Sequence, residues 1–177
     1  MSIFYESLDT AVRGYMIQEL ERELANGTLY ISPRLTEIGV KTWAEILREA
    51  FEQHDDVWIA SILRSRGLMR IEEQRRKPKG GFTIAQVPYT APDTLAEGEF
   101  NRFYVRGLCV QVIASGKTDV EVYRGKEDQN PRLESEAMIG RHFSAQMLLD
   151  DLRNSQGVEP ALGLPPGPNS GLTVRRV

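Results

Sequence analysis

The stretch LMRIEEQRRKPKGGFTIAQVPY (68–89) is where the chain changes its periodicity. Before it, apolar residues recur about every four positions. Within it, Met69, Ile71, Phe82, Ile84 and Val87 fall in partial alternation, broken by RRKPKGG at 75–81. Alternation marks extended chain, and a proline followed by paired glycines marks a turn, so the reading is two strands joined by a basic loop. Helices before this stretch and strands within and after it make the fold class α+β.

Toward the N-terminus, Phe4, Leu8, Val12, Met16, Leu20 and Leu24 predict an amphipathic helix over 3–25, ended by Asn26-Gly27. Ser32-Pro33 predicts a brief helix that stops at Gly39. Thr42 and Glu45 have the spacing of a capping box in front of Trp43, Ile46, Leu47, Ala50 and Phe51, which predicts a third helix. A fourth starts near Asp55 and stops at Gly67. Residues 1–67 are therefore expected to form a helical region.

Toward the C-terminus, Thr94 and Glu97 form a second capping box. They open a predicted central helix to about Ala114 that packs across one small sheet, with Gly98 and Gly107 admitting a close neighbour. DVEVYR (119–124) reads as a half-buried strand that joins the pair at 68–89. Asn130-Pro131 precedes a helix over 132–139, and Ser144 caps another that Gly157 ends. Residues 68–157 are the α+β region, in one domain with the helical part or beside it. The arm VEPALGLPPGPNSGLTVRRV (158–177) has four prolines, three glycines and no helical period. Pro160, Pro165, Pro166 and Pro168 bar helix and central strand, so the arm is expected to add little to the body's core and to be ordered by lying on its own body or on a neighbouring chain. Its deletion is expected to leave a folded body.

Composition narrows the function classes. One cysteine, Cys109, allows no intrachain disulfide and no cysteine cluster for zinc or iron–sulfur. Cys109 is expected to be buried. His54 and His142 have no second histidine or cysteine at ligand spacing, and no metal or cofactor is expected. No run approaches the roughly 18 apolar residues of a membrane helix, and MSIFYESLDTAVRG lacks the basic and apolar regions of a secretory signal, so a soluble chain made in the cytoplasm is expected.

Catalytic motifs are sparse. G-x-S-x-G, Walker and G-x-G-x-x-G patterns are absent. Asp119 and Glu121 share one strand face near Lys126, Glu127 and Asp128, a loose likeness to a magnesium-dependent nuclease site. Val122-Tyr123 stands where a Glu-x-Lys motif would continue, and the reading adopted for these residues is the solvent face of an amphipathic strand. Glu97, Glu99, Glu134 and Glu136 are ascribed to capping and solubility. The expectation is a non-enzymatic protein.

Charge points to a surface. Seven basic residues lie between Arg64 and Lys79 against Glu72 and Glu73, in a chain of net charge −3. The loop cations Arg75, Arg76, Lys77 and Lys79 can meet an acidic protein partner, or form a solvated loop with no role. Together with Arg70 they can instead touch nucleic-acid phosphates, in which case no aromatic residue interleaves them to stack on bases. In the arm, Leu162, Leu164, Leu172 and Val174 are the side chains able to anchor on a partner.

TLAEGEFNRFYVRGLC (94–109), VEVYRGK (120–126), NPRLESEAMIG (130–140), LLDDLR (148–153) and ALGLPPGPNSGLTVR (161–175) together resemble small proteins encoded among the virion genes of tailed phages and prophages. The resemblance covers mainly the C-terminal half and carries over no functional residue. It implies a structural or assembly subunit at the capsid surface or head-to-tail connection. Such a subunit is oligomeric, present in the host cytoplasm during assembly and then in the virion, and bound to neighbouring subunits, with weak nucleic-acid contact as the alternative.

Overall fold

A computed structural model of the chain describes residues 2–127, 132–157, 160–164 and 170–177. Asn130, Pro131, Asp128, Pro165, Pro166 and Pro168, which entered the sequence reading, lie outside them. The fold is α+β: among the described residues there are six helices with two small antiparallel sheets.

The first helix, α1, is Thr10–Asn26 and not the full 3–25 of the periodicity. Asp9 caps it by accepting from the Val12 N–H at 2.9 Å. Residues before the cap are held away from a helix, because the Phe4 N–H donates to the Gly125 carbonyl at 2.7 Å and the Glu6 N–H donates to Tyr123 Oη at 2.8 Å. Phe4 is consequently exposed, whereas Ile3 and Tyr5 enter the core.

The second helix, α2, is Glu37–Gln53, one element where two were expected. Thr36 is its cap: Oγ1 accepts from the Gly39 N–H at 3.1 Å and donates to the Leu68 carbonyl at 3.2 Å. Thr42 sits inside the helix and donates back to the Ile38 carbonyl. Gly39 is no stop signal; a Cβ there would lie 2.6 Å from the Leu68 carbonyl oxygen, so the glycine lets the two segments touch. Arg13 closes the other end by donating to the Ala50, Phe51 and His54 carbonyls. The third helix, α3 (Asp56–Ser65), is capped by Asp55 as the sequence suggests.

β1 (Glu72–Arg76) and β2 (Phe82–Gln86) form the expected hairpin, with Arg76 opposite Phe82 and Gln74 opposite Ile84. It is a sheet of its own. The second sheet has the order β4-β3-β5, where β3 is Asp119–Arg124, β4 is His142–Ser144 and β5 is Leu172–Arg176. The single sheet expected to join 68–90 with 118–125 is therefore two, because β3 has both edges taken by later segments.

α4 (Ala91–Ala114) runs through the middle of the molecule. It starts three residues before Thr94, with Pro92 in its first turn, so the Thr94–Glu97 box lies within it. Every residue from Glu99 to Cys109 is buried, as a helix enclosed on all sides requires. Gly107 permits this: a Cβ there would sit 2.8 Å from Met16 Cγ and 3.0 Å from the Met16 nitrogen and the Val12 carbonyl, so α1 packs directly on its backbone. Among the described residues Gly98 faces no neighbour within 4 Å, contrary to the close approach expected of it. A one-turn helix, α5 (Leu133–Glu136), is shorter than expected, and α6 (Ala145–Asn154) follows its Ser144 cap.

The arm departs most from expectation. β5 adds to the edge of β3 with Val122 opposite Val174 and Tyr123 opposite Thr173. Leu164, Leu172 and Val174 are fully buried in the chain's own core, and Leu162 packs half-buried against it. The prolines that argue against a strand stop short of Leu172, which leaves LTVRR (172–176) free to pair. One contiguous core runs from Ile3 to Val174, shared by the helical and α+β regions.

Candidate functional site

The hairpin stands apart from this core. Residues 74–84 are all exposed, and β1 and β2 pair chiefly with each other. Two-stranded ribbons with nothing on either face are marginal in water. Among the described residues this one is tied down at its base: Arg34 donates to both oxygens of Glu73 at 2.6 and 3.0 Å, and the Arg70 N–H donates to the Arg34 carbonyl at 2.8 Å. The turn at 77–81 closes through the Lys77 N–H to the Gly81 carbonyl at 2.9 Å, with Gly80 and Gly81 both at positive φ.

Among the loop cations, Arg75 pairs with Glu73 at 2.8 Å and reaches the Gln86 carbonyl. Arg76, Lys77 and Lys79 have no ion pair among the described residues. Arg70 does not join them, since its Nε donates to the Leu35 carbonyl at 3.0 Å. Strand register adds what the linear sequence concealed: even-numbered residues share one face, so Arg76, Phe82, Gln74 and Ile84 lie together, with Phe82 67% and Ile84 60% exposed. Ile71 and Tyr89, at the base, are also exposed. The offset that pairs Arg76 with Phe82 belongs to the strand register and was not legible in the linear sequence.

The arm residues expected to bind a partner are spent internally. Asn101, on α4, accepts the Thr173 hydroxyl at 2.6 Å and donates to the Leu172 carbonyl at 2.9 Å, and Tyr104 Oη donates to the Val174 carbonyl at 3.0 Å. Asp151, on α6, accepts the Ala161 and Leu162 N–H groups. Leu164, Leu172 and Val174 are therefore not available to a second molecule, because their side chains fill the core beneath β3.

The remaining catalytic candidates are scattered. Arg175 donates to Glu121 at 2.9 Å and holds that carboxyl below its ordinary value. Asp119 accepts from the Thr118 hydroxyl. Cys109 is buried, and burial pushes its thiol well up. His54 stacks on Trp58 with ring centroids 4.4 Å apart, and His142 lies opposite Glu121 in the β3–β4 ladder. No group of three His, Cys, Asp or Glu residues placed to hold a metal occurs among the described residues, and no described helix is long and apolar enough to cross a membrane.

Two polar clusters escaped the sequence reading. Glu19 and Glu23 on α1 face Arg102 and Arg106 on α4, and Arg153 on α6 joins them; Arg106 is wholly enclosed and bonds both glutamates. Burial pushes the Glu19 carboxyl up, but the hydrogen bonds and charges of Arg153 and Arg106 outweigh this and hold it low. The i,i+4 spacing of Glu19–Glu23 and of Arg102–Arg106 was a readable sign. Glu99, ascribed to solubility, is in fact buried with one oxygen unpartnered among the described residues, and burial raises its carboxyl to about 7. The other cluster lines an open cleft of about 600 Å³, where Lys126 bonds Glu97 at 2.5 Å and Arg64 pairs with Asp93. Asp56 borders it, raised to about 6 by burial, with its Oδ1 enclosed and unpartnered among the described residues. No serine hydroxyl in the cleft bonds a carboxylate among the described residues, so no nucleophile–base pair is assembled there.

No family model matches the chain, and no curated protein or solved structure matches it either.

Proposed function

We propose that this chain is a non-enzymatic binding subunit of a larger protein assembly and that the β1–β2 hairpin is the element that docks. The supporting observation is the ribbon itself. It presents Phe82 and Ile84 together with the unpaired charges of Arg76, Lys77 and Lys79, on a two-stranded element that gains almost nothing from its own body. An aromatic and an aliphatic side chain beside cations fit a protein surface that is acidic with an apolar centre. The resemblance of the C-terminal half to proteins encoded among phage virion genes supplies the setting, a particle or its assembly intermediate, and the arm no longer supports it. Phe82 beside Arg76 also favours a second reading, in which the tip stacks on a base and grips phosphates.

The test replaces Arg75, Arg76, Lys77 and Lys79 with alanine. Thermal melting stays unchanged, because exposed loop charges contribute little to stability. The particle or complex purified from the source of the chain then lacks the variant while retaining the wild type. A fluorescent DNA duplex of mixed sequence at low salt distinguishes the readings: binding that the four substitutions abolish and that falls steeply with added salt overturns the protein-docking reading in favour of the second.

A further inference from the structure

We propose that the surface on which the hairpin docks is helix α2 of a second copy of the same chain, in a reciprocal two-fold dimer. This rests on the docking role of the hairpin and names its partner. Residues 70–79 carry five basic side chains against two acidic ones, and the whole chain has a net charge of −3, which leaves a net −6 on the rest. Part of that charge forms a stripe. Along α2, Ile38, Lys41, Glu45, Glu49 and Glu52 follow one another at intervals of three or four and all are exposed, so they share the outward face of the helix. The glutamates are lightly engaged: Arg48 reaches Glu45 only at 3.8 Å, its closer contact being Glu21, and His54 reaches Glu49 at 3.9 Å.

The two surfaces match in order as well as in sign. On the ribbon, apolar Ile84 and Phe82 come first and the loop cations follow. On α2, exposed Ile38 comes first, Lys41 follows one turn on, and the three glutamates Glu45, Glu49 and Glu52 occupy the rest of the face. At about 3.3 Å per residue the ribbon runs roughly 10 Å from the level of Ile84 to Lys77. At about 1.5 Å per residue α2 runs roughly 10 Å from Ile38 to Glu45 and 16 Å to Glu49. Apolar ends can meet while the cations overlie the carboxylates.

The hairpin does not make this contact with its own α2, since residues 74–84 and Glu45, Glu49 and Glu52 are all exposed. The hairpin base is fixed at the start of its own α2 by Thr36 to Leu68, Arg70 to Arg34 and Arg34 to Glu73. With donor and acceptor surfaces adjacent in each copy, one two-fold axis can place both hairpins on both helices at once. That doubles an area which is small for a single ribbon, and closes the assembly.

The experiment is a charge swap read by sedimentation. One variant carries R75E/R76E/K77E/K79E, the other E45K/E49K/E52K; all seven residues are exposed, and circular dichroism confirms that each variant is folded. The wild type is expected at twice 20.0 kDa at low salt and to shift toward the monomer as salt rises. Each variant alone is monomeric, since both of its contacts join like charges. An equimolar mixture restores the dimer, because every hairpin then meets a helix of opposite charge. A monomeric wild type at low salt, variants that remain dimeric, or a mixture that stays monomeric overturns the proposal. If the dimer fails while the alanine variant is still lost from the assembly, the hairpin docks on another protein and only the identity of the partner is wrong.

Discussion

Asn101 accepts the Thr173 hydroxyl at 2.6 Å, joining the middle of the central helix to the C-terminal strand across 72 residues of sequence. With the Asn101 amide on the Leu172 carbonyl, it fixes β5 from beneath while β3 fixes it from the side. Removing residues 170–177 should therefore unfold the protein. Leu172→Ala should cost about 2–5 kcal/mol and Asn101→Ala about 1–3 kcal/mol, from a buried cavity and from unpartnered polar groups respectively. Urea melts check all three. A truncated chain that melts like the wild type would return the arm to the role of a free tether.

The two glycines of α4 should respond oppositely to alanine. At Gly98 an added methyl meets nothing, so Gly98→Ala should stabilise by about 1 kcal/mol through helix propensity. At Gly107 it meets the backbone of α1 at 3.0 Å or less, and the overpacking cost of about 1–3 kcal/mol offsets or exceeds the same gain. Paired thermal melts give the sign of each.

Arg106 is enclosed between Glu19 and Glu23, so removing it leaves buried carboxylates short of a partner. Arg106→Met should cost about 3–5 kcal/mol. Adding Glu23→Gln to that variant should recover part of the loss, because it removes a charge the first substitution stranded. Denaturant titration of the single and double variants measures the coupling.

Burial raises Glu99 to about 7 and Asp56 to about 6, whereas unfolded carboxyls release their protons near pH 4. Between those limits the folded chain binds more protons than the unfolded one, so stability should fall as pH rises from about 4 to 7. Each group contributes on the order of 3 kcal/mol. Glu99→Gln and Asp56→Asn should each flatten that slope and should raise the melting temperature above pH 7 relative to the wild type. Glu19 and Asp9, held below their ordinary values, act in the opposite sense and in more acid solution.

Local chemistry accounts for what was legible in the sequence. Asp55 and Ser144 cap helices because a side-chain oxygen reaches an N–H three residues on, and the hairpin follows from alternation flanking a Pro/Gly turn. Where two local signals competed, tertiary contact chose. Thr36 caps α2 and its hydroxyl also meets the Leu68 carbonyl, and Gly39, inside the helix, is glycine because that carbonyl occupies the space of a side chain.

By itself, then, the sequence determined the α+β class, the hairpin with its basic loop, and the burial of Cys109. Each of these depends on residues within a few positions of one another or on bulk polarity. Only the tertiary structure decided that the arm is a core strand, that Phe82 stands opposite Arg76, and that Glu19, Glu23 and Arg106 are buried together. Strand pairing and buried ion pairs draw their free energy from groups 6 to 87 residues apart along the chain, and no local pattern records which partner such a group will find.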